Sequence, residues 1–294
     1  SNRRALERMS GALRHRGPDG EGAWTSSPDE SGCGVMLAHR RLAIIDLSSA
    51  AAQPMVDAGG AQALVFNGEI YNYRALAEEI PATAPGSKRG DTAVLFDALQ
   101  AQGAASIPRL RGMFAFAHWD TATRRLLLAR DPLGIKPLYI ARNPDPHGDW
   151  SLAFASELRS LLASGLLGTP RLDPAAVASI VWNGFVVGPN TAVTNVELLG
   201  AGEYLSVDTA RRTEERQRFW SLSGHDGDGS FNEEQLAHAL RESVRLHLES
   251  DVPLGVFLSS GVDSSTVANL ARQVSDTPIH TFTLALEERE HDEG

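Results

Sequence analysis

The chain has 294 residues, of which 42% are hydrophobic and 22% charged, so it is long enough for two domains of ordinary size. No apolar stretch reaches the length of a membrane span, the opening residues lack the apolar core of a signal peptide, and the single cysteine excludes an internal disulfide framework. From the absence of a membrane span and a signal peptide we expect a cytoplasmic protein with no membrane partner. The net charge of -10 favours small-molecule substrates over nucleic acid.

Short strand-like runs alternate with helices in the first half of the chain. The pattern predicts strands at 37–47, 63–66, 112–119, 126–129, 137–141 and 152–155. It predicts helices at 71–80, 92–102 and 157–163, with Asp91 as a candidate N-cap of the second. This mixture favours an α+β sandwich over a regular βαβ winding.

The character of the sequence changes after residue 205. A charged run at 211–218 and a glycine-rich segment at 223–230 predict a linker over 206–232, between a first domain at 1–205 and a second at 233–294. Residues 233–249 have the apolar spacing of an amphipathic helix. The two strands and two helices of the second domain are too few for an independent sheet core, so we expect that domain to be cut short.

Residues 251–265, DVPLGVFLSSGVDSS, carry the clearest chemical pattern. An apolar run ends in serines and a glycine, and a helical pattern follows, which predicts a strand, a tight loop and a helix. The amide groups at a helix N-terminus and the serine hydroxyls favour phosphate. The loop has no Walker-type lysine, and Asp263 lies inside it, which favours a bridging cation such as magnesium. The plain alternative is a serine-rich turn with Ser264 or Ser265 as N-cap.

The loop resembles the SGGxDS pyrophosphate loop of ATP pyrophosphatases, with Ser260 in place of the first glycine. The resemblance implies that this region binds ATP and pyrophosphate, with Asp263 as the ligand of Mg²⁺. The implied contacts are made by Leu258, Ser259, Ser260, Gly261, Asp263, Ser264 and Ser265, and by the main chain near Thr283 and Leu284.

Several motifs of the first half occur in the order of one family. They are RGPD at 16–19, LAHRRLAIIDL at 37–47, Gln53-Pro54, NGEIYN at 67–72, GMFAF at 112–116 and RDPLGIKPLY at 130–139. Together they are similar to the glutaminase domain of glutamine-dependent asparagine synthetase, and the pyrophosphate loop follows at the expected place. The resemblance covers essentially the whole chain.

The resemblance implies a fold, an activity and cofactors. The expected fold is an α+β N-terminal-nucleophile-type αββα sandwich, followed by the start of an α/β pyrophosphatase-type nucleotide-binding domain. The expected reaction is glutamine hydrolysis to ammonia and amidation of aspartate through β-aspartyl-AMP, which gives asparagine, AMP and pyrophosphate. ATP and Mg²⁺ are the expected cofactors, and the family allows a homodimer.

Five residues match the family's glutamine site. The Asn67 side-chain amide and the Gly68 backbone N–H match the donors to the oxyanion, Arg41 matches the partner of the glutamine α-carboxylate, and Glu69 and Asp91 match the partners of its α-ammonium. Each match has a plain structural alternative. Asn-Gly is a common hairpin turn, Arg41 could form a surface ion pair, Glu69 could be a first-turn acid, and Asp91 could be an N-cap only.

The nucleophile is the largest departure from the family. There it is a cysteine at the mature N-terminus, with its own α-amine as base, on a first strand that we expect to be absent here. Cys33 has no free α-amine and is expected to be a small buried hydrophobe, and Ser1 is a weaker candidate still. We therefore expect that the chain as given does not hydrolyse glutamine. His39, beside Arg40 and Arg41, is expected to be a poor general base.

Two alternatives stay open. β-Lactam synthetases and lasso-peptide cyclases resemble the same architecture, lack the N-terminal cysteine, and use an internal amine as nucleophile. The intact set of Arg41, Asn67, Gly68 and Glu69 favours glutaminase ancestry over this reading. The other alternative is a non-catalytic binding or regulatory protein, which ATP-dependent pyrophosphate release would exclude.

Overall fold

The computed structural model describes residues 2–28, 32–81, 90–224 and 232–285. The chain divides into two units, one of Ser1–Ala43 with Ser48–His225 and one of Ile44–Leu47 with Asp226–Gly294. In chain order the regular helices and strands of the first unit are α1 (Asn2–Ala12), β1 (Gly20–Thr25), β2 (Met36–Arg41), β3 (Met55–Val56), β4 (Gln62–Ile70), α2 (Tyr73–Glu79), α3 (Asp91–Gln102), β5 (Gly112–Asp120), β6 (Arg125–Arg130), β7 (Tyr139–Arg142), β8 (Leu152–Ala155), α4 (Leu158–Ser164), α5 (Pro174–Asn183), β9 (Val196–Leu198), β10 (Glu203–Asp208) and β11 (Thr213–Arg218).

The main sheet of the first unit has six strands in the order β11-β10-β6-β5-β4-β3. Its neighbouring strands are antiparallel. Because successive side chains of a strand point to opposite faces, the central strands supply two separate cores. In β4, Leu64 and Phe66 pack in the core that includes α2 and α3, whereas Ala63 and Val65 pack in a second core on the opposite face.

A second strand layer covers that opposite face. It consists of the β1–β2 pair and the sheet β8-β7-β9, which contribute Leu37 and Ile140 to the core between the layers. The outer face of β7 and β8 is in turn covered by α4 and α1, through Leu161 and Met9. The order of layers is therefore helix, sheet, sheet, helix.

Several strands and helices begin or end at other residues than the sequence pattern predicts. The predicted strand 37–47 ends at Arg41, and the strand predicted at 63–66 continues to Ile70. The N-cap of α3 is Gly90, so the N-cap prediction for Asp91 is wrong, and Asp91 is instead the first helical residue. Helix α5 and strand β1 were not predicted.

The region predicted as a linker at 206–232 begins with sheet structure. Strands β10 and β11 form an antiparallel hairpin at the edge of the six-stranded sheet, and every residue of β11 is exposed. Ion pairs fix this edge: Arg216 pairs with Glu197, and Arg142 pairs with Glu214 at 2.7 Å. Because β11 is held by charged pairs to the other strand layer and buries no apolar side chain, its sequence shows no hydrophobic alternation and was interpreted as a junction.

The second unit contains α6 (Glu233–His247), β12 (Gly255–Phe257), α7 (Val262–Val274) and β13 (His280–Phe282). Strands β12 and β13 are parallel, and α7 connects them, which is the βαβ arrangement of an α/β domain. Strand β13 ends at Phe282, and residues from 286 onward lie outside the described part of the chain.

Candidate functional site

Asn67 and Gly68 lie inside strand β4 and not in a turn. The strand pairs with β5 in continuous register from Gln62 to Ile70, so the hairpin-turn alternative is wrong. Gly68 has a φ of 152°, and a Cβ atom there would lie 2.0 Å from the carbonyl oxygen of Met113. Any side chain at this position would therefore collide with the backbone of β5, which explains the glycine.

The hydrogen bonds of Phe114 show which way the Gly68 N–H points. Phe114 is opposite Gly68, but its N–H donates to Asp131 Oδ2 at 3.2 Å and its carbonyl accepts from Asp131 N at 2.8 Å. In an antiparallel ladder, pairs that exchange hydrogen bonds alternate with pairs that do not. Gly68 and Phe114 are thus a non-exchanging pair, and the Gly68 N–H points away from β5.

The edge of β4 beyond β3 is occupied on both sides of Gly68. The Phe66 N–H donates to Gln53 Oε1 at 2.6 Å, the Phe66 carbonyl accepts from His39 Nε2 at 3.0 Å, and the Ile70 N–H donates to Asp91 Oδ2 at 3.1 Å. The Gly68 N–H lies between these occupied groups.

Asn67 supplies a second donor next to Gly68. Its Nδ2 is buried and has no hydrogen-bond partner within the described ranges. A buried donor without an acceptor costs about 1–3 kcal/mol, so such a group in a native fold needs an explanation. A ligand oxygen held between Asn67 Nδ2 and the Gly68 N–H would satisfy both donors.

Two carboxylates, those of Glu69 and Asp91, lie near these donors. Asp91 is only 4% exposed and accepts hydrogen bonds from Thr92 N at 2.7 Å and Ile70 N. Burial raises the pKa of Asp91 to about 6, although both backbone N–H groups lower it, and the charge of Glu69 raises it further. The strand therefore places Glu69 close enough to Asp91 for the two acids to interact, which favours a bound cation.

Arg41 ends strand β2 and is partly buried, with Nη1 donating to the Ser48 carbonyl at 2.9 Å. The RGPD motif fixes this end of the strand. Asp19 N donates to the Arg41 carbonyl at 3.0 Å, Asp19 Oδ2 accepts from Ala43 N at 3.0 Å, and a Cβ atom on Gly17 would lie 2.3 Å from the Arg40 carbonyl carbon. The motif thus holds the backbone from which Arg41 projects.

His39 lies two residues before Arg41 and faces β4. Its pKa is lowered to about 4 by burial and by the charge of Arg41, against the hydrogen bond to Phe66, which raises it. The prediction that His39 is a poor general base agrees with this environment. Cys33 is partly exposed, so the expectation that it is buried is wrong, and Ser1 lies outside the described residues.

Sequence reasoning assigned no task to Asp131, in the RDPLGIKPLY motif. This carboxylate is fully buried and accepts from the backbone N–H groups of Phe114, Leu133, Ile135 and Lys136 at 2.8–3.2 Å. It therefore fixes both the turn after β6 and the part of β5 opposite Gly68. The available signal was an acid that directly follows a buried strand and precedes Pro and Gly.

The serine-rich loop of the second unit has the predicted strand, loop and helix. The N-cap of α7 is Gly261, so neither Ser264 nor Ser265 caps the helix. Ser264 Oγ instead closes the loop by hydrogen bonds within it. It accepts from Ser259 N at 3.2 Å. Its hydroxyl can donate to the carbonyl oxygen of Ser259 or of Gly261, each of which lies at 3.1 Å. Thr283 Oγ1 donates to the Leu258 carbonyl at 2.9 Å, which brings β13 and the start of the loop together.

Gly261 is the N-cap of α7. Its φ of -72° is open to any residue, and a Cβ atom would lie 3.3 Å from Ser259 Oγ, so the chain's own conformation does not require glycine. Asp263 is exposed in the first turn of α7. Within the described ranges no group of three or more His, Cys, Asp or Glu side chains could hold a metal ion. A cation at Asp263 would therefore need phosphate oxygens as further ligands.

Residues 1–220 match the family model described as a glutamine amidotransferase domain, and residues 235–294 match that described as asparagine synthase. A putative glutamine-hydrolysing asparagine synthetase of Mycobacterium tuberculosis is 37% identical over 297 residues, which cover 96% of this chain and 44% of that protein. The amidase chry2 of Gibberella zeae is 34% identical over 271 residues, which cover 90% of this chain and 38% of that protein. The chain thus spans less than half the length of these relatives.

Among solved structures, glutamine phosphoribosylpyrophosphate amidotransferase from B. subtilis aligns with a TM-score of 0.52 at 18% identity, over 97% of this chain and 64% of that one. This likeness concerns the fold alone. It confirms the predicted αββα sandwich of N-terminal-nucleophile type, and the asparagine synthase match agrees with the start of an α/β nucleotide-binding domain. Among the described helices, none is long and apolar enough to cross a membrane. The chain belongs to the family of glutamine amidotransferase domains, followed here by the start of an asparagine synthase domain.

Proposed function

We propose that this chain is part of a glutamine-dependent asparagine synthetase. The first unit binds glutamine for hydrolysis to ammonia, and the second belongs to a domain that activates aspartate with ATP as β-aspartyl-AMP. Ammonia then displaces AMP to give asparagine, and pyrophosphate is released in the activation step. The observation that carries the proposal is the pair of neighbouring donors on β4, the unpartnered Asn67 Nδ2 and the outward-pointing Gly68 N–H.

The glutamine site is assigned group by group. Arg41 pairs with the α-carboxylate through its planar guanidinium, and Glu69 and Asp91 pair with the α-ammonium. The carboxamide oxygen lies between Asn67 Nδ2 and the Gly68 N–H. As a nucleophile attacks the carboxamide carbon, negative charge develops on this oxygen, and each fixed donor is worth about a hundred- to a thousandfold in rate.

The nucleophile is not assigned to a described residue. The family resemblance implies an N-terminal cysteine whose α-amine takes the thiol proton, and Cys33 precedes β2 in mid-chain. The β-lactam synthetase and cyclase alternatives are less favoured, because a pocket without glutamine gains nothing from a buried, unpartnered amide donor.

The nucleotide site is assigned to the loop between β12 and α7. Ser259, Ser260, Gly261, Ser264 and Ser265 bind pyrophosphate at the N-terminus of α7. Asp263 holds Mg²⁺, which when bound would neutralise phosphate charge. The adenosine lies beside the chain at Leu258, Thr283 and Leu284. The cytoplasmic location and the homodimer stay predictions.

Titration of the chain with L-glutamine tests the first half of the proposal. We expect saturable binding by calorimetry, with shifts of the Asn67 side-chain and Gly68 amide resonances in ¹⁵N spectra. Arg41→Ala should abolish binding. Arg40→Ala is the matched control, since the neighbouring Arg40 donates to Ser10 instead. Absence of glutamine binding, or equal loss in both variants, would refute the assignment.

The second half is tested in the full-length protein. Aspartate, glutamine and MgATP should together yield asparagine, AMP and pyrophosphate, and Asp263→Asn should remove pyrophosphate release, while the exposed Asp276→Asn should not. Formation of ADP would contradict the adenylate mechanism. Absence of any nucleotide turnover would favour the non-catalytic alternative.

A further inference from the structure

We infer that His39 and Gln53 are positioning residues that fix the oxyanion donors on β4 through the backbone of Phe66. This inference rests on the proposed glutamine site. It concerns two side chains that do not themselves belong to the proposed contacts with glutamine, and it assigns them an effect on one end of the substrate only.

The Phe66 backbone is held from one side at both of its polar groups. Its N–H donates to Gln53 Oε1 at 2.6 Å, and its carbonyl accepts from His39 Nε2 at 3.0 Å. These two side chains stand where a neighbouring strand would otherwise pair, because β3 pairs with β4 only at Leu64 and Ala63. Together His39 and Gln53 form what we call the Phe66 clamp.

The clamp acts next to the donor pair. The Phe66 carbonyl belongs to the peptide group that also contains the Asn67 N–H, so a tilt of this plane turns the Asn67 Cα and the side chain that carries Nδ2. Gly68 follows directly, at a φ of 152° that tertiary contacts must maintain. Donors that stabilise developing charge must keep their place to within about 0.5 Å, so control of this plane bears on the carboxamide end of the site.

The chemistry of His39 suits a fixed donor. A carbonyl oxygen only accepts, so His39 Nε2 carries the proton, and Nδ1 is buried without a hydrogen-bond partner within the described ranges. Burial lowers the pKa of His39 to about 4, which keeps the ring neutral and in this one tautomer near neutral pH. The backbone of Gln53 packs closely against Gly22 of β1. A Cβ atom on Gly22 would lie 2.2 Å from the Gln53 carbonyl oxygen, so this contact requires glycine.

The test compares two ligands that share α-groups but differ at the far end. L-Glutamine carries the carboxamide and L-norvaline does not, so the ratio of their Kd values measures what the oxyanion donors contribute. In the wild-type chain we expect glutamine to bind about tenfold more tightly, as two net hydrogen bonds allow. His39→Ala should bring this ratio towards one and leave the norvaline Kd within about twofold.

Two further variants separate positioning from general stability. His39→Gln keeps a donor at the Nε2 position and should restore most of the glutamine preference. His118→Gln is the matched control, because His118 is also buried, on β5, with its pKa lowered to about 4, but its Nε2 contacts Gln62 Oε1 at 3.2 Å. We expect this variant to keep the wild-type ratio.

The outcomes distinguish this inference from the proposed function. If the wild-type chain binds both ligands and His39→Ala keeps the ratio, or weakens both ligands in parallel, the clamp is refuted and the glutamine site stands. If the wild-type chain binds neither ligand, the glutamine site is refuted. Ligand-free ¹⁵N spectra then decide the clamp: unchanged Asn67 side-chain and Gly68 resonances in His39→Ala would overturn it, and shifts absent from His118→Gln would support it.

Discussion

Asp91→Asn probes the buried carboxylate of the proposed ammonium site. Asp91 is 4% exposed, and its pKa is raised from 3.8 to about 6 because burial disfavours the charged form. A raised folded-state pKa means that the protonated form stabilises the fold. This contribution is fully present below pH 3.8 and is lost as the pH rises through 6. At neutral pH the wild-type chain therefore carries a buried charge that an asparagine would remove.

The magnitude follows from the two pKa values. Their separation corresponds to about 3 kcal/mol in full, of which about 1 kcal/mol falls between pH 5 and pH 8. Asparagine has one acceptor oxygen and cannot accept from both Ile70 and Thr92, so Asp91→Asn also has a constant penalty of about 1 kcal/mol. Between pH 5 and pH 8 the variant should gain about 1 kcal/mol of unfolding free energy relative to the wild type.

Urea unfolding followed by tryptophan fluorescence measures this difference. All five tryptophans lie in the first unit, so the signal reports the unit that contains Asp91. The exposed Asp149→Asn gives the background for removal of an acid. A difference between Asp91→Asn and the wild type that does not change with pH, or that changes in the opposite direction, would refute the assignment of a buried, charged Asp91. Glutamine binding should be lost in the variant at every pH.

Three further changes test the other local arguments. Gly68→Ala should lower the urea midpoint, because backbone strain costs about 1–3 kcal/mol and overlap with β5 adds to it; an unchanged midpoint would contradict the register. Asp131→Asn should lower the unfolding free energy by about 3 kcal/mol. The amide NH₂ would replace one carboxylate oxygen, so two of the four backbone N–H groups that now donate to Asp131 would face another donor. Ser264→Ala should weaken MgATP binding about tenfold by calorimetry, since it opens the loop, while Ser275→Ala, which removes a local hydrogen bond at the other end of α7, should not.

The residues of the proposed glutamine site could be named from the sequence because they occur in ordered local motifs. Their surroundings could not. The Asn-Gly pair has the pattern of a turn, and only the register with β5 shows that Gly68 stands in a strand with its N–H turned outward. His39 on β2 and Gln53 in the segment before β3 both bond to Phe66 on β4. These contacts join residues far apart in the sequence, so no local pattern predicts them.

Local sequence determined the elements whose physics is local: the helices at α2, α3 and α6, the loop before α7, and the apolar runs of β4, β5 and β6. Tertiary structure alone decided the edge strand β11, whose ion pairs leave no apolar period, and the raised pKa of Asp91, which depends on burial between strand and helix. The reason is the same in both cases. The spacing of apolar residues can be read from the sequence. The burial of a charged group and the pairing of strands depend on which distant residues the fold brings together.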